Sequence, residues 1–161
     1  MRIPVGQLCR LTLGSALLAI LMLCGGCRTA TQSLFTASGP GWRVQEGQAI
    51  WRPRRGFPEL GGDIVMASDA GGRCFIQFAK TPMALVCAHT TRTNWLIQFP
   101  AGNMSFTGHR KPPTRFAWLY LHAALAGEPL PKSLRFQTKP DGGWRLENPR
   151  SGETLDGFLA P

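Results

Sequence analysis

The chain has 161 residues, with 18 Lys and Arg against nine Asp and Glu and a formal net charge of +9. That length holds one domain with a real core. The three histidines, five cysteines and few acids form no metal-ligand spacing, no Gly-x-Ser-x-Gly elbow and no phosphate-cradling glycine loop, which argues against an enzyme, a bound metal and a cofactor.

Residues 1–26 read as a secretory signal peptide: Arg2 and Arg10 precede an apolar run from Leu11 to Leu23, and small residues follow it. The run is too short for a membrane span, which needs about 20 apolar residues. Leu21-Met22-Leu23-Cys24-Gly25-Gly26-Cys27 resembles the lipobox of bacterial lipoproteins. That resemblance implies that the Cys27 thiol is acylated, with chains such as palmitate, and that Cys27 starts the mature protein. Ordinary secretion with cleavage after Ala30 would put Arg28 where a small residue is needed. Arg28, in place of the aspartate that resembles an inner-membrane retention signal, implies delivery to the outer membrane, with the domain facing the periplasm. Losing Arg2 and Arg10 lowers the net charge to +7. The basic excess of an anchored protein points first to an anionic membrane surface or acidic ligand, and no motif points to nucleic acid.

Residues 27–41, the lipidated cysteine and a small, polar, Gly/Pro-containing stretch, read as a tether. Residues 42–161 form a single β-rich domain. Its predicted strands are Val44–Trp51, Asp63–Ser68, Cys74–Phe78, Met83–Thr90, Asn94–Phe99 and Met104–Thr107, spaced like an antiparallel meander. Arg52, Arg54 and Arg55 form the densest basic cluster, in the loop before the second strand. Alternation puts Trp95, Ile97 and Phe99 on one face, opposite Leu96 and Gln98. Cys74, Ile76 and Phe78 share a face opposite Phe75 and Gln77.

Cys74 and Cys87 are the two cysteines left in a compartment that permits disulfides. A hairpin pairing Phe78 with Met83 sets them directly opposite one another, so a cross-strand disulfide is one reading. Two free core cysteines are the other.

After Pro112-Pro113, Thr114 is placed to cap a helix from Arg115 to about Ala126, stopped by Gly127 and Pro129. Phe116, Trp118, Leu119, Tyr120, Leu121 and Leu125 make it apolar nearly all round, so it must be covered on several sides. It fits the concave face of a curved sheet. Short strands at Leu134–Thr138, Trp144–Asn148 and Thr154–Leu159 close the domain. The expected fold is mainly β (α+β): a curved antiparallel sheet or incomplete β-barrel with one hydrophobic helix as plug or lid. His89, His109 and His122 read as structural residues, not catalytic ones.

Arg115-Phe116-Ala117-Trp118-Leu119-Tyr120-Leu121 running into Gly127-Glu128-Pro129-Leu130-Pro131, with Gly47-Gln48-Ala49-Ile50-Trp51 as an opening strand, resembles the family of the bacterial lipoprotein-sorting receptor LolB and its carrier relative LolA. The resemblance lies in element order over roughly Val44 to Leu159. It implies a hydrophobic cavity that holds acyl chains of other lipoproteins, handed over by a periplasmic carrier and inserted into the outer membrane without covalent chemistry. Alternation and helix spacing then place Trp51, Ile76, Phe78, Trp95, Ile97, Phe99, Trp118 and Leu121 along its wall or lid. The family's membrane-inserting loop has its counterpart in Phe57 or Leu60, and the protein is expected to be a monomer. The alternative is a structural or assembly lipoprotein of an envelope complex that transfers no lipid.

Overall fold

The computed structural model describes residues 41–160. Nine strands form one curved, unclosed antiparallel sheet: β1 (Trp42–Arg52), β2 (Leu60–Asp69), β3 (Cys74–Lys80), β4 (Met83–Thr90), β5 (Asn94–Phe99), β6 (Met104–His109), β7 (Arg135–Thr138), β8 (Trp144–Asn148) and β9 (Glu153–Ala160). The spatial order is β6-β5-β4-β3-β2-β1-β9-β8-β7. Neighbours in this order are joined by hairpins except β1 and β9, whose pairing brings the ends of the domain together; the chain passes from β6 to β7, the two edges, through the helical segment. The mainly β fold, a curved unclosed antiparallel sheet with a single helical segment, is as the sequence leads one to expect.

Alternation sets the faces. β3 reads buried at Cys74, Ile76 and Phe78 and half-buried between them. Ala49 and Trp51 of β1, Ile64 and Met66 of β2, Val86 and Ala88 of β4, and Leu146 and Leu155 of the closing strands join the same core. Residues two apart share a side of the pleat, so one inner face collects nearly every large apolar side chain. β1 and β9 approach closely enough that a Cβ at Gly47 would stand 2.0 Å from the Phe158 carbonyl oxygen. Only glycine fits there.

The β3–β4 hairpin differs from the expected register. Its turn is the two residues Thr81–Pro82, which pairs Lys80 with Met83, and a bulge follows between Phe78 and Ala79. Cys74 therefore lies opposite Thr90, and Cys87 opposite Gln77, three rungs apart and on opposite faces. Both thiols are free, which corrects the disulfide reading. The physical reason is the tighter turn together with the bulge.

The helical segment is also shorter than expected. A 3-10 turn, Ala117–Tyr120, leads into α1, Leu121–Leu125. Phe116 N–H bonds to Pro113 O at 3.2 Å and Leu119 N–H to Phe116 O at 3.2 Å, the i to i−3 pattern of a 3-10 turn. Thr114 caps nothing; its carbonyl instead accepts Asn148 Nδ2–H at 2.9 Å. Ala117, Trp118, Leu119 and Tyr120 of the 3-10 turn are all in the interior, whereas in α1 Leu121 and Ala124 are buried and His122, Ala123 and Leu125 are half-buried. The sheet's contacts, rather than helix propensity, shape the segment's first turn. Gly127, at φ +72, ends it.

Candidate functional site

The interior between sheet and plug is the candidate site. All eight residues predicted for the wall or lid meet there. Trp51, Ile76, Phe78, Trp95, Ile97, Trp118 and Leu121 are buried in one cluster, with Phe99 packed partly buried against it. Trp118 sits at the centre. Its ring lies 5.1 Å from that of Phe78 and 6.0 Å from that of Trp51, the latter edge-on. Trp51 also stacks on Phe99 at 6.1 Å. Phe116 continues the chain of rings toward the β6 edge, 5.1 Å from Phe106. Side chains of the plug occupy the space that the curved sheet encloses.

Two polar features mark this interior. The indole Nε1 atoms of Trp95, Trp118 and Trp144 are buried and have no acceptor among the described residues. An unmatched buried donor costs about 1–3 kcal/mol, so the closed interior leaves capacity for a carbonyl acceptor. The second feature is Glu153, which is 3% exposed. Its Oε1 accepts Trp51 Nε1–H at 3.2 Å and its Oε2 accepts Ala117 N–H at 3.1 Å. One carboxyl thus joins β1, β9 and the start of the plug. Burial pushes its pKa up to about 7, against the opposing pull of the Ala117 and Trp51 hydrogen bonds. A cleft of about 380 Å³ lies beside it, lined in part by Arg52, Arg55, Glu147 and Asn148.

A second cleft, about 290 Å³, lies between α1 and the sheet, where Arg43, Gln45, Ser68 and His122 meet Met66, Leu125 and Trp144. A third, about 530 Å³, runs along β1 and β9, with Ile50 and Phe158 beside Asp63, Asp141 and Asp156. His89 is buried against Phe75, their rings 4.8 Å apart. Desolvation pushes its pKa down to about 4. Burial likewise raises the Cys74 thiol to about 12, far from a reactive thiolate. Among the described residues no group of three or more His, Cys, Asp or Glu could hold a metal ion.

Of the two residues expected to touch a membrane, Phe57 is 44% exposed, while Leu60 packs against the core at the start of β2. Cys27, the signal peptide and the tether lie outside the described residues. No described helix is long and apolar enough to cross a membrane.

Sequence reasoning missed Glu153 and Asn148. Neither carries a local signal: Glu153 follows a Ser-Gly turn, and its partner Trp51 is 102 residues away. No family model matches the chain, and no curated protein matches it.

Proposed function

We propose that this is a lipid-anchored outer-membrane protein that binds acyl chains of other lipoproteins on the inner face of its sheet and inserts them into the bilayer. The observation that carries this reading is the composition of the interior. An apolar wall of aromatic and aliphatic side chains is covered by one short segment, and buried indole N–H groups within it have no acceptor among the described residues. An acylated cysteine offers both halves of a match. Its chains replace the apolar contacts of Trp118 and Leu121 at roughly 0.8 kcal/mol per buried methylene. Its ester and amide carbonyls supply acceptors for the indoles. Transfer then follows relative affinity, from a periplasmic carrier to this protein and on to the membrane, with the plug moving aside to admit each chain.

The filled interior favours a second reading, a structural or assembly lipoprotein in which the plug never moves. One pair of measurements separates them. The sorting reading expects the purified mature protein to bind a diacylated lipopeptide, and depletion in the native host to hold other lipoproteins back from the outer-membrane fraction. Normal fractionation after depletion, together with no lipopeptide binding, leaves the assembly reading in its place.

A further inference from the structure

Charge divides the sheet in two. From Ala70 to Gly127 the chain has six Lys and Arg and none of its nine acids. That stretch is β3 to β6 and the plug, one side of the sheet in its spatial order. The other side, residues 41–69 and 128–161, sets nine Lys and Arg against the nine acids. Its cations find partners within it: Arg135 and Arg145 reach Glu147, and Lys139 and Arg145 reach Asp156. The positive excess of the domain therefore belongs to the β3–β6 side. Among the described residues, only Arg73 of its six cations pairs with an acid, and that acid is Asp69 at the boundary.

β6 is the open edge of this positive side. Just past its end, Arg110 N–H donates to Thr93 O at 2.6 Å. The register continues through Trp95 opposite Gly108 and Ile97 opposite Phe106. Bonded and unbonded pairs alternate along an antiparallel ladder, so Ser105, Thr107 and His109 turn their backbone groups away from β5. All three are exposed. Open edges are commonly blunted by short length, proline or charge. β7, the other edge, has four residues, and its Arg135 pairs across to Glu147. β6 has six residues, Met104–His109, with no proline, Lys, Arg, Asp or Glu among them. Cations stand around it instead. Arg110 and Lys111 follow it, and Arg92 lies in the adjoining β4–β5 turn, all exposed. The Arg115 guanidinium lies 5.3 Å over the Phe106 ring and 4.7 Å over that of Phe116.

We propose that β6 receives an extended acidic segment of another polypeptide, which adds to the sheet as a further strand. The backbone of that segment completes the ladder at Ser105, Thr107 and His109. Its carboxylates meet Arg115 beside Phe106, and Arg110 and Lys111 beyond the end of β6. Backbone pairing supplies affinity with little regard to sequence, and the unpaired cations select for acid. A lipid surface offers no ladder and leaves these backbone groups to water. A second copy paired through β6 sets two acid-free sides together, and facing like charges disfavour it. The edge lies outside the interior, so the inference is independent of acyl transfer.

The test uses the full lipidated mature chain in nonionic detergent and a fluorescent peptide of about eight residues in which Glu alternates with Val. In one comparison peptide Lys replaces every Glu. In the other every backbone N–H is methylated and the charge is kept. The Glu peptide is expected to bind saturably by anisotropy, and both comparison peptides to bind roughly tenfold more weakly or less. Hydrogen exchange, read by mass spectrometry, slows over Met104–His109 and is unchanged over Arg135–Thr138. Arg110→Glu with Arg115→Glu weakens binding by roughly tenfold. Lys80→Glu with Arg150→Glu, the same charge change elsewhere, leaves it unaltered. Thr107→Pro removes an outward donor and abolishes the protection, while Thr107→Val keeps that donor and binds as the parent does. Failure of the Glu peptide to bind overturns the proposal, as does equal binding of the Lys peptide. Equal binding of the methylated peptide also overturns it, leaving a patch that reads charge alone, as an anionic lipid surface requires. Protection over β6 that grows with protein concentration and needs no peptide overturns it in favour of self-pairing. Lipopeptide binding by the interior is measured separately, so failure of either proposal leaves the other readable.

Discussion

The plug is held in two different ways at its two parts. Around Trp118 and Leu121, both fully buried, the contacts are apolar and ring against ring. At its entry, the Thr114 carbonyl accepts a hydrogen bond from Asn148 and the Ala117 N–H donates one to Glu153. Tyr120 Oη–H, donated to Pro112 O, closes the same turn on itself. Apolar contact supplies most of the energy but little direction, since dispersion and burial do not depend on orientation. The hydrogen bonds contribute less and set the register of the segment on the sheet. An acyl chain can replace the first kind of contact and not the second. On the proposed acyl-binding reading the aromatic seat is the exchangeable part, and the Glu153–Asn148 edge is the part that stays in place.

Substitutions at the two parts are expected to differ in size and in kind. Trp118→Ala empties the centre of the interior and is expected to cost about 3–5 kcal/mol in urea unfolding. If the seat is exchangeable, a bound diacylated lipopeptide restores much of that loss. Absence of any rescue would count against an interior site. At pH 5, Glu153→Ala leaves the Trp51 and Ala117 donors unmatched and is expected to cost roughly 1–3 kcal/mol, with no rescue by lipopeptide.

Glu153→Gln separates charge from hydrogen bonding. Burial raises the Glu153 carboxyl from 4.5 to about 7 in the folded protein, so its contribution is full below pH 4.5 and is lost as pH rises through 7. Relative to the parent, Glu153→Gln is expected to gain up to about 3 kcal/mol between pH 4.5 and pH 8. A stability difference that stays flat across that range would show that Glu153 does not titrate there. His89 acts with the opposite sign: its ring is held neutral with a pKa near 4, so its contribution is lost as pH falls from about 6.5. His89→Leu is expected to flatten the acid side of the stability profile only. The smallest effect is at Asn148, where Asn148→Ala is expected to lower stability by about 1 kcal/mol and to leave lipopeptide affinity unchanged.

The strands were legible because their side chains alternate. Asn94–Phe99 and Met83–Thr90 match the expected bounds, and the wall residues on them face inward as alternation requires. The Cys74–Cys87 register was not legible, because it depends on the Thr81–Pro82 turn and on a bulge next to Phe78, which the hydrophobic pattern does not distinguish from a four-residue loop. The plug was visible as an apolar run. Its 3-10 entry was not, since that conformation is imposed by Pro113 and by partners on β8 and β9. The pairing of β1 with β9 and the placing of Glu153 share one cause: both are contacts between distant parts of the chain, and local periodicity carries no trace of them.

The missing rung between β6 and β7 has a mechanical consequence. A closed barrel has its girth set by strand number and stagger. Here β6 and β7 each pair on one side only among the described strands, and Phe106 and Phe136 on them pack against the common core. Such an open cuff has no fixed girth: it can loosen or tighten by twisting along its length while every ladder bond is kept.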